Sequence, residues 1–80
     1  MSGYQFNTTL RNGKWEVLID KSALYGYFEH DDAGEGGGLW FERNGDKYEL
    51  IDFDGRYCLP KGVAAALRAD PSFIVSTDFD

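Results

Sequence analysis

The sequence predicts an α+β fold: an antiparallel sheet of five to six strands built from hairpins, with one short C-terminal helix packed on one face. Three observations carry this. Asn12-Gly13 and Asn44-Gly45 each stand between alternating apolar and polar residues, the signature of two strands joined by a tight type I′ turn. Asp54-Gly55 offers a third such turn. A single stretch, Leu59, Val63, Ala66 and Leu67, carries helical spacing. Eighty residues suffice for one core, so residues 1–80 are read as one domain.

Taken in order, a turn at Asn12-Gly13 sets Leu10 opposite Trp15, Thr8 opposite Val17 and Phe6 opposite Ile19. All six lie on one side, because strand side chains alternate. The other side is mostly polar. Ser22 and Ala23 break the chain before a third strand over residues 24–30, where Leu24, Gly26 and Phe28 share one face and Tyr25, Tyr27 and Glu29 the other. Residues 31–38, DDAGEGGG, read as a mobile acidic connection, since four glycines lose much chain entropy and three carboxylates repel one another. A turn at Asn44-Gly45 then pairs Phe41 with Tyr48 and Leu39 with Leu50 inside, and Trp40 with Glu49 and Glu42 with Lys47 outside. A short strand over residues 56–59 follows the third turn and brings Cys58 near Ile51. Pro60 suits a first helical turn, where its missing N–H costs nothing, and the helix stops before Asp70-Pro71. Residues 73–76, FIVS, return as an edge strand, and Asp78 and Asp80 fray into solvent.

Composition narrows the class. The chain is 42% apolar with thirteen aromatic residues, which is globular rather than disordered. Its lone cysteine, Cys58, excludes an internal disulfide, so a reducing, cytoplasmic setting is expected. No run of about 18 apolar residues is present, so no membrane span is expected, and the first residues do not read as a secretory signal. A net charge of −6 disfavours nucleic acid and anionic lipid as partners.

The charge is concentrated. Between Glu29 and Asp54 stand nine carboxylates (Glu29, Asp31, Asp32, Glu35, Glu42, Asp46, Glu49, Asp52 and Asp54) against Arg43 and Lys47, a local charge of −7. A metal cluster of Glu29, His30, Asp31, Asp32 and Glu35 fails the EF-hand pattern, because Ala33 stands at its third position and the flanks read as strands. The glycine-rich segment lacks the Gly-Lys-Ser/Thr ending and the following helix of a phosphate loop. A nucleophilic dyad would need Cys58 with His30, and Cys58 reads as a buried, inert thiol. No cofactor, metal or catalytic residue is therefore assigned, and a non-enzymatic protein is expected.

What remains is a binding face. Trp40, Glu42, Glu49, Ile51 and Phe53 lie on the outer side of the second hairpin, with Tyr25, Tyr27 and Glu29 extending it. Rings set among carboxylates suit a basic protein surface. The partner-binding residues expected are Glu29, Asp31, Asp32, Glu35, Trp40, Glu42, Glu49, Asp52 and Asp54. Carboxylates two apart on a strand lie about 6.7 Å from one another, a spacing comparable to neighbouring phosphates. In size, charge and compactness the chain, with segments such as GYFEHDDAGEGGGLWFE and DFDGRYCLP, resembles the small acidic inhibitors of phages and mobile elements, the anti-CRISPR and anti-restriction proteins. That resemblance implies DNA mimicry: a monomer or weak dimer occupying the DNA site of a nuclease or CRISPR surveillance complex. The alternative is an interaction module, such as an immunity protein, antitoxin or adaptor, binding through exposed aromatics.

Overall fold

The computed structural model describes residues 3–55 and 58–80. Five strands run as an antiparallel meander: β1 (Thr8–Asn12), β2 (Trp15–Asp20), β3 (Tyr25–His30), β4 (Gly36–Asn44) and β5 (Lys47–Phe53). Helix α1 (Lys61–Arg68) follows, then β6 (Phe73–Ile74) and a 3-10 turn at Thr77–Phe79. β6 joins the far edge beside β5, in parallel, so the sheet order is the chain order. The α+β architecture read from the sequence is the one observed.

The hairpins form where expected, with each turn displaced by one residue. Asn12 pairs with Trp15 and Asn44 with Lys47, leaving Gly13-Lys14 and Gly45-Asp46 as the central pairs. Only the glycines take positive φ, at 59° and 65°, which matches a turn needing glycine first rather than one needing two left-handed residues. Moving the turn by one residue moves each partner by two, so every side chain keeps its face. Leu10 therefore opposes Val17, and Phe41 opposes Leu50. Phe6 is the exception. β1 begins at Thr8, opposite Ile19, and Phe6 leaves the sheet.

A β-bulge between Trp40 and Phe41 changes the second hairpin further. Phe41 opposes Leu50 while Trp40 opposes Asp52, so Ile51 is the unmatched residue and is exposed. Beyond the bulge Asp52 takes the outer place and Phe53 turns inward to meet Phe79, their centroids 5.9 Å apart. Phe53 is thus not an outer-face residue.

The core lies on one face of the sheet. Val17, Ile19, Phe28, Leu39, Phe41 and Leu50 meet Leu59, Val63, Ala66 and Leu67 from the helical segment, all buried. Trp15 lies so close to Gly62 that the helix could carry no Cβ there. α1 touches β1, β2 and β6, the two opposite ends of the strand order. One short helix reaches both ends only because the sheet curls around it as a half-barrel, with α1 in the concavity. The small side chains of Ala64 and Ala66 permit that approach.

Three expectations change. Residues 36–38 are not a loop: Gly36, Gly37 and Gly38 open β4, and the connection shrinks to residues 31–35. The expected strand over residues 56–59 falls partly on Arg56 and Tyr57, outside the described residues; Cys58 and Leu59 are not strand, and Cys58 is exposed rather than buried. β5 pairs instead with β6, whose parallel run needs a long crossover that α1 supplies. The C-terminal residues do not fray, because Ser76 caps the final turn by accepting from Asp78 N–H and Asp80 pairs with Arg68 at 2.9 Å.

Candidate partner-binding face

The convex face of the sheet carries no helix. Its centre is a chain of rings. Tyr25 and Trp40 are cross-strand partners with centroids 5.6 Å apart, edge to face. Tyr4 stacks on Tyr25 at 4.4 Å, and Phe6 lies 5.9 Å from Tyr4 and 6.3 Å from Tyr25. Tyr4, Phe6, Tyr27 and Trp40 are each between 36% and 45% exposed, an unusual density of open aromatic surface for so small a protein.

The glycines of β4 make this arrangement possible. A Cβ on Gly38 would sit 2.9 Å from Trp40 Cη2 and 3.0 Å from the Tyr25 hydroxyl, so the outer ends of the two rings close over bare backbone. Gly36 likewise lies beneath Tyr27. On the other side of the strand, Gly37 faces the Asp54 carbonyl and the Phe28 ring. The glycine run is therefore a ring bed rather than a flexible link.

The N-terminal segment is held over the same face by a buried carboxylate. Asp20 is 2% exposed and accepts hydrogen bonds from Gln5 N–H (2.8 Å), Ser22 N–H (3.0 Å), Ser22 Oγ–H (2.6 Å) and Ala23 N–H (3.2 Å). The Gln5 bond, followed by the Ser22 hydroxyl, holds this carboxyl below its ordinary range. Fixing Gln5 fixes Tyr4 and Phe6 on either side of it. Burial pushes the Tyr25 phenol up, and the neighbouring Tyr4 and Asp54 push the same way.

The expected binding residues fall into two groups. Glu29, Trp40, Glu42, Glu49 and Asp52 lie on the convex face, Asp52 directly opposite Trp40. Asp54 joins them at the end of β5, its N–H donating to Gly38 O beneath the rings. Asp31, Asp32 and Glu35 belong to the β3–β4 connection, away from that centre. There two charges are offset. Arg11 forks onto Asp31 at 2.8 and 3.4 Å and also reaches Glu16 at 3.3 Å, while Lys14 pairs with Asp32. The Arg11 hydrogen bond holds Asp31 below the usual carboxylate range. His30 Nδ1 accepts the N–H groups of Asp32 (3.1 Å) and Ala33 (2.9 Å), so its role is to shape this turn.

Among the described residues neither Arg43 nor Lys47 forms an ion pair with a convex-face carboxylate, although Lys47 stands on that face two residues from Glu49. Arg43 lies over the Tyr48 ring at 5.0 Å and donates to Gly45 O. Lys47 opposes Asn44 at the turn. Among the described residues no three His, Cys, Asp or Glu side chains converge as metal ligands would. Cys58 borders a shallow groove beside the helix with Lys61, Ala64 and Arg68. Among the described residues no helix is long and apolar enough to cross a membrane.

Reasoning from the sequence missed Tyr4 and Phe6. The available signal was two rings at strand spacing around Gln5, one of which was spent on extending β1. Compared with known proteins, the chain matches no family model, no curated protein and no solved structure.

Proposed function

We propose that this chain is a non-enzymatic binding protein that engages a basic surface of another protein through its convex sheet face. One observation carries the reading: Tyr4, Phe6 and Trp40, each part-exposed, gather around the half-buried Tyr25 at the centre of a border of carboxylates. An apolar aromatic centre within a charged rim is the anatomy of a protein interface, and tryptophan and tyrosine are its most frequent anchors. The arrangement supports an interaction module of the immunity, antitoxin or adaptor kind.

A second reading rests on a different observation. Glu42 and Glu49 oppose each other across β4 and β5 with Asp52 close by, a like-charge pairing that costs stability. Such a row suits an inhibitor that occupies a nucleic-acid-binding site of a bacterial defence complex, in the manner of anti-CRISPR DNA mimics.

Capture of cellular proteins on the immobilised chain, at low and at high salt, separates the two. The module retains its partner at high salt and loses it on Trp40→Ala. The mimic releases its partner steeply with salt and is abolished by the combined Glu42→Lys, Glu49→Lys and Asp52→Lys. Recovery of abundant basic proteins alone, insensitive to either set of changes, would remove both.

A further inference from the structure

The convex face is specific enough to name the chemistry of its occupant. We propose that the partner presents arginine side chains, with a guanidinium stacked on Trp40 and forked onto the carboxylate of Asp52 opposite it. This rests on the reading of the convex face as the partner-binding surface.

The argument is one of complementarity. Glu29, Glu42, Glu49, Asp52 and Asp54 border the rings, so a second copy of the same face would set carboxylate against carboxylate. Nucleic acid and anionic lipid meet the same repulsion. A neutral apolar partner would bury those carboxylates unpaired, which is costly. A cation with a flat, weakly hydrated face satisfies rings and carboxylates together, and that description fits guanidinium better than ammonium. Trp40 and Asp52 are cross-strand neighbours, so one planar group can lie on the indole while its edge donates two parallel bonds.

The molecule uses this chemistry internally. Arg11 forks onto Asp31, and Arg43 lies over Tyr48 while donating to its hydroxyl at 3.3 Å. Among the described residues no Lys or Arg lies over the part-exposed Trp40 ring.

The test is an NMR titration of the whole chain with hexa-arginine and, separately, hexa-lysine peptides at moderate salt. Trp40 and Trp15 supply paired reporters, because Trp15 lies on the concave side against Gly62 and His30. Hexa-arginine is expected to move the Trp40 indole N–H and leave that of Trp15 in place. It should bind at least about threefold more tightly than hexa-lysine. Trp40→Leu and Asp52→Asn should each weaken hexa-arginine by about threefold or more, with the Trp15 signal unchanged as proof of fold. Equal affinity for both peptides, or an unmoved Trp40 at saturation, overturns the assignment. If hexa-arginine fails while Trp40→Ala still abolishes capture of a cellular partner, only the arginine assignment falls. If both fail, the binding face itself is wrong.

Discussion

Glu42 and Glu49 stand directly opposite each other on the convex face, two carboxylates in one cross-strand pair. Glu49 has some relief, since it accepts from Asn44 Nδ2 at 3.1 Å, whereas Glu42 is exposed and has no ion pair among the described residues. Glu42→Lys turns a repulsive pair into an attractive one. It should raise stability by about 0.2–1 kcal/mol, read as a higher urea midpoint with an unchanged slope at low salt. A lower midpoint would show that the pair is not under repulsion. The same substitution should weaken binding to a basic partner, so stability and function move in opposite directions.

Asp20 makes the fold sensitive to acid. Its folded pKa is held below the ordinary carboxylate value by the Gln5, Ser22 and Ala23 donors. A depressed folded pKa means that its contribution is complete above the unfolded value, near pH 4, and disappears as pH falls through the folded value. Asp20→Asn should therefore lower Tm at neutral pH and flatten the loss of stability below about pH 4. The wild-type and variant curves should converge in strong acid. Parallel curves would assign the acid sensitivity to other carboxylates.

Adjacent glycines should respond differently to alanine. At Gly37 a Cβ meets the Asp54 backbone carbonyl, which cannot swing aside, so Gly37→Ala should cost about 1–3 kcal/mol as overpacking. At Gly38 the obstructing atoms are the outer ends of the Trp40 and Tyr25 rings. Gly38→Ala should cost less and instead displace the rings, seen as a shift of the Trp40 indole signal and weaker partner capture. Equal melting temperatures for the two variants would contradict this division.

Leu67 joins the helix to the curled sheet and is fully buried. Leu67→Ala should cost about 2–5 kcal/mol, a large share of the stability expected of so small a domain. Chemical denaturation would show either a much lower midpoint or no folded baseline. A change under about 1 kcal/mol would mean that α1 does not hold the two ends of the sheet together.

Much of the fold was legible because it depends on local rules. Period-two alternation assigns faces whatever the register, so Val17, Ile19, Leu39, Phe41 and Leu50 all reached the core although both turns moved by a residue, whereas both faces of the third strand are part apolar and only the tertiary structure turned Phe28 inward. The stripe of Leu59, Val63, Ala66 and Leu67 survived for the same reason, since helical spacing is set by neighbours along the chain. The acidic, aromatic character of residues 25–54 was equally plain, as it is a matter of composition.

The tertiary structure alone decided which carboxylates stay open, and how the rings meet. Asp31 and Asp32 are offset by Arg11 and Lys14 across eighteen to twenty residues of chain, a contact that exists only once β2 lies beside β3. The glycines of β4 looked like a hinge, because chain entropy is a local quantity and the Tyr25 and Tyr27 rings that help to occupy their empty faces arrive from β3. The bulge that set Asp52 in place of Ile51 opposite Trp40, and turned Phe53 inward, arises from fitting one curled strand to another, and nothing within β4 or β5 taken singly announces it. Residue order thus determined which side β1, β2 and β4 would bury. The curvature of the sheet around α1 determined what its other side would show.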